Sequence, residues 1–190
     1  MNPQLEAAWE IGQFFDQQRI EYAIIGGIAV QRWGTPRFTQ DVDLSIATPL
    51  VEGSFALVQL ITQHFASRIE NAEDFARTAR VILIKASNGI NVDISLALPG
   101  YEDVMLGRVL EYEIEPGKTI RICSAEDLII HKAVAGRPQD IRDIEGVIYR
   151  HGEKLNVTEI RSWLEQFANI LDHAEIQMRF ERIWQSYKET

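Results

Sequence analysis

A single cysteine, Cys123, in 190 residues excludes an intramolecular disulfide and any zinc site built from several thiolates. Flanked by Ile122 and Ser124, with no activating neighbour, it reads as a small buried filler. Long apolar runs are missing too: stretches such as Val81 to Ile84 are far too short to cross a bilayer. The first ten residues, MNPQLEAAWE, lack a basic segment followed by an apolar one, so no secretory signal is expected and the expected location is cytoplasmic. Positive charge is scarce. Against 28 Asp and Glu stand 19 Lys and Arg, a formal net charge of −9, which argues against a broad non-specific nucleic-acid surface. Arg137, Arg142, Arg150 and Lys154 form a locally basic stretch, but acidic residues interleave them as on a solvated helix face. The four histidines, His64, His131, His151 and His173, show no paired metal-ligand spacing. No internal repeat or low-complexity linker is present, and the length and ordinary composition fit one compact domain, or one core with a smaller subdomain.

What is present is concentrated between Ile24 and Leu44, IIGGIAVQRWGTPRFTQDVDL. Two adjacent glycines, Gly26 and Gly27, precede two carboxylates, Asp41 and Asp43, that alternate with apolar residues. On an extended strand, side chains at i and i+2 share a face, with Cα atoms roughly 6.5–7 Å apart. Like charges held side by side there are costly unless a cation sits between them, and hard divalent cations take oxygen ligands. A glycine turn lets backbone N–H groups approach a phosphate closely. The combination points to a metal-dependent nucleotide site.

Along the chain, Leu5 to Phe15 has helical spacing and leads to a short strand at Tyr22–Ile25. Gly26-Gly27 predicts a turn, Ile28 to Trp33 a brief helix closed by Gly34, and Pro36 an extended approach at Thr35. Val42, Leu44 and Ile46 are expected to face a packed side, and Asp41, Asp43 and Ser45 a wet one. Pro49 and Leu50 are expected to open a helix to about Phe65. Asn88-Gly89 predicts a two-residue hairpin, with Val92, Ile94 and Leu96 on one face of its second strand and Asn91, Asp93, Ser95 and Ala97 on the other. A second hairpin is predicted at Pro116-Gly117. From Ser124, which has a capping pattern with Asp127, the pattern turns all-helical; Gly136 and Pro138 separate two helices. Apolar stripes follow at Ile160, Trp163, Leu164, Phe167, Ile170 and Leu171, then at Ile176, Phe180, Ile183, Trp184 and Tyr187. The fold class is therefore α+β, a β-rich front half with a helical back half.

These residues resemble the polymerase-β-type nucleotidyltransferase superfamily, and within it the AbiEii/AbiGii-type branch, which includes toxins of toxin–antitoxin pairs. The resemblance rests on Gly26-Gly27-Ile-Ala29, on Arg37-Phe-Thr39-Gln-Asp41-Val-Asp43-Leu, on Val92-Asp93-Ile94, and on Lys132-Ala-Val-Ala135-Gly-Arg137-Pro-Gln-Asp140-Ile-Arg-Asp143, in that order over roughly residues 22 to 146. It implies a catalytic core with a small mixed sheet and flanking helices over residues 1–122, and a C-terminal helical lobe over 123–190. It further implies that Asp41, Asp43 and Asp93 hold Mg²⁺, two ions being possible, with Asp93 the third ligand or the base toward an acceptor hydroxyl. Gly26, Gly27, Arg37 and Thr39 would line the nucleotide, and Lys132 would bring positive charge to its phosphates. Where many superfamily members carry Gly-Ser, this chain has Gly26-Gly27, so that contact must come from the backbone.

The expected reaction moves a nucleoside monophosphate from an NTP to an acceptor hydroxyl, releasing pyrophosphate. The resemblance favours a toxin-like enzyme acting on RNA, such as a tRNA 3′ end, or on a protein, with an antitoxin as possible partner and no membrane association. The negative charge fits a cationic aminoglycoside acceptor at least as well. A non-catalytic nucleotide-binding interaction module is the third reading. Bland roles compete at each position: Asp41 and Asp43 as strand-end carboxylates relieved by an arginine, Lys132 as a solvated lysine, and Asp140 and Asp143 as structural partners of Arg137 or Arg142, the role favoured for both. Arg137 is left undecided between those carboxylates and a phosphate.

Overall fold

The computed structural model describes residues 2–48, 53–97 and 100–189. They form two compact units, Met1–Ile28 with Phe38–Cys123, and Ala29–Arg37 with Ser124–Thr190. The helical unit thus also takes in a short segment from the first quarter of the chain.

The first unit begins with α1 (Pro3–Gln18), where the Asn2 side chain accepts the Leu5 N–H at 2.9 Å and Pro3 occupies the first turn, which needs no amide donor. Its buried residues Ala7, Ala8, Ile11 and Phe15 lie on the sheet side, against β1 (Tyr22–Ile24), β2 (Val42–Ile46) and β7 (Lys118–Ile122). The remaining strands are β3 (Ala66–Ser67), β4 (Val81–Lys85), β5 (Asn91–Leu96) and β6 (Leu110–Glu115). They complete a seven-stranded mixed sheet in the order β3-β4-β5-β2-β1-β7-β6. β2 runs parallel to β5 and antiparallel to β1, and β1 runs parallel to β7. Tyr22, Ile24, Val42, Leu44, Ile46, Ile82, Ile84, Val92 and Ile94 share one face and are buried. At about 1.5–3 kcal/mol for each large apolar side chain, a one-residue slip of β2 or β5 would be prohibitive, because it would exchange this face for the polar one.

The polar face is less wet than the alternation predicts. Asp43 and Asp93 are half-buried, but Ser45 is fully buried, and Asp41 lies just before β2 rather than in it. The hairpin at Asn88-Gly89 also differs from expectation. Ala86 N–H donates to the Ile90 carbonyl and Gly89 N–H to the Ala86 carbonyl, both at 2.9 Å. The loop is therefore three residues with Gly89 at φ +83°, the left-handed position that closes such loops. β6 and β7 form the second hairpin, with Glu115 opposite Lys118. The predicted start of the next helix, Pro49 and Leu50, falls outside the described residues; α3 runs Gly53–His64. β3 and α5 (Tyr101–Leu106) are too short to leave a periodic signature, and α4 (Ala72–Ala79) is an addition to the expected elements. Cys123 is fully buried, as its setting predicts.

α2 (Gly26–Trp33) starts at the glycines themselves, earlier than the expected Ile28. The second unit contains α6 (Ala125–Ala135), α7 (Pro138–His151), α8 (Val157–Ile170) and α9 (Glu175–Lys188). Ser124 caps α6, its hydroxyl accepting the Asp127 N–H at 3.0 Å. The segment after α2 lies along α7: Arg150 donates to the Gly34 carbonyl at 3.1 Å, and His151 Nε2 is 2.9 Å from the Trp33 carbonyl. The α9 stripe is buried from Ile176 to Trp184. The α8 stripe is not buried throughout, since Ile160 and Leu164 are covered while Ile170 is 77% and Leu171 53% exposed. Those two fall at the end of the helix, beyond its packed face.

Candidate active site

Gly26 has φ +59°, a left-handed conformation that an L side chain adopts only at a cost. It is also the one residue that leaves room for Asp43: a Cβ on Gly26 would stand 2.1 Å from Asp43 Oδ2 and 2.6 Å from its Cγ. The backbones are joined there as well, with Ile25 N–H donating to the Asp43 carbonyl at 2.9 Å. Gly27 does the same for Thr39, whose Oγ1 would be 2.3 Å from an added Cβ. The Thr39 hydroxyl in turn donates to the Asp41 carbonyl at 3.2 Å, fixing the chain just ahead of β2. Both glycines therefore seat the side chains of the Arg37–Asp43 motif, and their N–H groups belong to the first turn of α2, where amides lack intrahelical partners.

Asp43 and Asp93 are register partners on the parallel strands β2 and β5, so their carboxylates project from the same face of the sheet. A guanidinium, unforeseen in the sequence, accompanies them: Arg68 Nη1 donates to Asp93 Oδ1. No local pattern marks Arg68, because only the order β3-β4-β5 brings it beside a carboxylate 25 positions on. The carboxylate oxygens of Asp43 and Asp93 are ligands of the kind that suits a hard cation such as Mg²⁺. The space Gly26 leaves open admits the Asp43 side chain. Among the described residues no three Asp, Glu, His or Cys side chains close into a metal cage, so the arrangement is an adjacent carboxylate pair with Asp41 nearby in sequence. That is enough for Mg²⁺, which binds through one or two carboxylates and fills its octahedron with water and substrate phosphate.

The remaining candidates meet in the helical unit. Lys132 Nζ lies 2.7 Å from Asp140 Oδ1 and 2.9 Å from Asp143 Oδ2, with only 12% of its side chain exposed. Arg37 makes a two-pronged pair with Asp143, Nε to Oδ1 at 2.8 Å and Nη2 to Oδ2 at 2.9 Å. Gln139 adds a further bond to Asp143 at 3.0 Å. Burial pushes the Asp143 carboxyl up, but the hydrogen bonds from Arg37, Gln139 and Lys132 and the lysine charge outweigh it and bring it down to about 2. Asp140 accepts the Arg137 backbone N–H at 3.0 Å, satisfying an amide at the start of α7. Asp140 and Asp143 are thus partnered chiefly by Lys132 and Arg37, rather than by the Arg137 or Arg142 side chains that their spacing suggests.

A family model described as "nucleotidyl transferase of unknown function (DUF2204)" matches residues 4–181. No curated protein sequence matches the chain significantly. Among solved structures, the chain is similar to an antigenic nucleotidyltransferase-like protein from Paracoccidioides brasiliensis, with 20% identity, TM-score 0.58, and coverage of 94% of this chain and 92% of that one. It is also similar to ANT(2″)-Ia in complex with adenylyl-2″-tobramycin, with 16% identity, TM-score 0.56, and coverage of 90% and 99%. A third similarity is to the lincomycin-bound lincosamide antibiotic adenylyltransferase LnuA, with 12% identity, TM-score 0.51, and coverage of 75% and 94%. At these identities the likeness is one of fold, an α+β core with a mixed sheet and C-terminal helices. With the family model spanning nearly the whole chain, this protein belongs to the DUF2204 family of nucleotidyltransferases, built on a polymerase-β-like fold.

Proposed function

We propose that this chain transfers a nucleoside monophosphate from an NTP to an acceptor hydroxyl with Mg²⁺ bound at Asp43 and Asp93, Asp41 joining them when the nucleotide is present. One observation carries the reading: the register pairing of Asp43 with Asp93, with Asp43 seated against the Cβ-less Gly26. When bound, Mg²⁺ supplies charge neutralisation at the transferred phosphoryl group and orients attacking and leaving oxygens in line. The N–H groups of Gly26 and Gly27 at the start of α2 offer donors to the triphosphate, and Thr39 holds the backbone of Asp41 for its part. The acceptor oxygen bonds to the α-phosphorus as the bond to the β-bridging oxygen breaks; pyrophosphate leaves, and Asp93 takes the hydroxyl proton. Arg37 and Lys132 enter the proposal as phosphate-contacting cations only at the expense of Asp143 and Asp140, which hold them here.

For the acceptor, the net charge of −9 favours a cationic small molecule of the aminoglycoside kind over RNA. A second reading, the AbiEii/AbiGii-type branch with a toxin-like enzyme modifying RNA or protein and an antitoxin as partner, is supported by the Lys132–Asp140–Asp143 constellation of its helical motif. Incubation with labelled NTPs, Mg²⁺ and separate RNA, protein and aminoglycoside acceptors tests both. Label on a cationic drug supports the first acceptor class and label on RNA or protein the second. Asp43→Asn should abolish transfer with the fold retained by circular dichroism; full activity in that variant overturns the metal assignment. Absence of both transfer and Mg²⁺-dependent NTP binding in the parent chain overturns the reaction itself.

A further inference from the structure

Arg68 belongs to no motif and has no part in the transfer proposed above, yet its guanidinium is paired with Asp93, one of the two carboxylates. Its own N–H donates to the Leu83 carbonyl at 2.9 Å, just beyond β3. Leu83 is the register partner of Asp93, and Asp93 of Asp43. One row across the sheet therefore reads Arg68, Leu83, Asp93, Asp43. The guanidinium reaches across β4 to donate from Nη1 to Asp93 Oδ1. Its side chain is 23% exposed and that of Asp93 38%, so the pair lies at an accessible rim and can open without unfolding the sheet.

Like charges opposite one another on neighbouring strands repel, and strands lie only about 4.8 Å apart. The neighbouring Asp43 and Asp93 carboxylates carry an electrostatic load, and the Arg68 guanidinium relieves it at Asp93. A divalent cation relieves it more fully, but it needs the same oxygens. Arg68 and the cation are competitors for Asp93.

We infer that Arg68 is a positioning residue for Asp93, a built-in counter-ion that occupies the carboxylate until a divalent cation displaces it. The inference rests on the reading of Asp43 and Asp93 as metal ligands. Its consequence is a site that resists a bare cation and fills when the ion arrives with the triphosphate, whose oxygens add coordination that a guanidinium cannot match. A purely structural salt bridge would instead leave cation affinity unchanged, or weaken it when broken.

The test uses the full chain with Mn²⁺ alone as probe, without nucleotide, in calorimetric titrations and in thermal unfolding with and without a chelator. Arg68→Gln should unfold a few degrees lower in chelator, bind Mn²⁺ about tenfold more tightly than the parent, and show the larger Mn²⁺-induced rise in Tm. Arg68→Met should do the same, and Arg68→Lys, which keeps the charge, should return toward parental affinity. Parental or weaker Mn²⁺ binding in folded Arg68→Gln and Arg68→Met, with binding still lost in Asp43→Asn, overturns the role of Arg68 alone. No binding of bare Mn²⁺ in the Arg68 variants overturns this inference, and no Mn²⁺ binding in any of these proteins even with NTP added overturns the metal reading as well.

Discussion

Gly26 and Asp43 share a space that cannot hold both a Cβ and a carboxylate, since the added carbon would fall 2.1 Å from Asp43 Oδ2. The glycine is required twice over, for φ +59° and for that clearance. Gly26→Ala should therefore lose about 1–3 kcal/mol of stability in urea denaturation and, separately, the stabilisation conferred by Mg²⁺ and NTP, because Asp43 must swing away. Retention of that ligand-induced Tm rise would show that Asp43 is not held for a metal.

Gly89 offers the control. Its φ is +83°, but an added Cβ would meet nothing within 4 Å. Gly89→Ala should cost about 1 kcal/mol through backbone strain alone and leave metal- and nucleotide-dependent stabilisation untouched. The contrast between the two alanine variants separates strain from site geometry by the same unfolding measurement.

The glycines and the Asp43 strand were legible because their signals are local: alternation over five residues, and two glycines where only backbone can fit. Asp93 was legible for the same reason, and the register confirms that it shares a face with Asp43. Arg68 and the Arg37–Asp143 pair were not, because they depend on sheet order and on a contact between residues 106 apart. Periodicity also overstated the wet face of β2, treating Ser45 as exposed when neighbouring strands and their cover enclose it. It overstated the α8 stripe for a related reason: an apolar residue at the right angle is buried only if something lies opposite.

Ser45 Oγ is fully buried and lacks a hydrogen-bond partner among the described residues. An unpaired buried hydroxyl costs about 1–3 kcal/mol, so Ser45→Ala should leave stability unchanged or raise it by about 1 kcal/mol, the small void offsetting part of the gain. Equilibrium urea unfolding measures this directly. A loss exceeding about 1 kcal/mol would reveal a bridging water between β2 and its neighbours, on the same face as Asp43.

Asp143 ties acid stability to the helical unit. Its side chain is 2% exposed, and its carboxyl is held at about 2 against an ordinary 3.8, despite burial, by Arg37, Gln139 and Lys132. A depressed carboxyl binds fewer protons folded than unfolded, so its contribution is full above about pH 4 and disappears as pH falls through about 2. The difference corresponds to about 2 kcal/mol. Asp143→Asn removes this titration and breaks the two-pronged ion pair with Arg37, while Lys132 keeps Asp140. At pH 7 the variant should be less stable by about 3 kcal/mol, the cost of breaking a mostly buried pair. Between pH 4 and 2 its stability should fall less steeply than the parent's, so that the two curves converge. Urea unfolding across that range decides it: parallel curves would mean that Asp143 is not the group whose protonation weakens the fold.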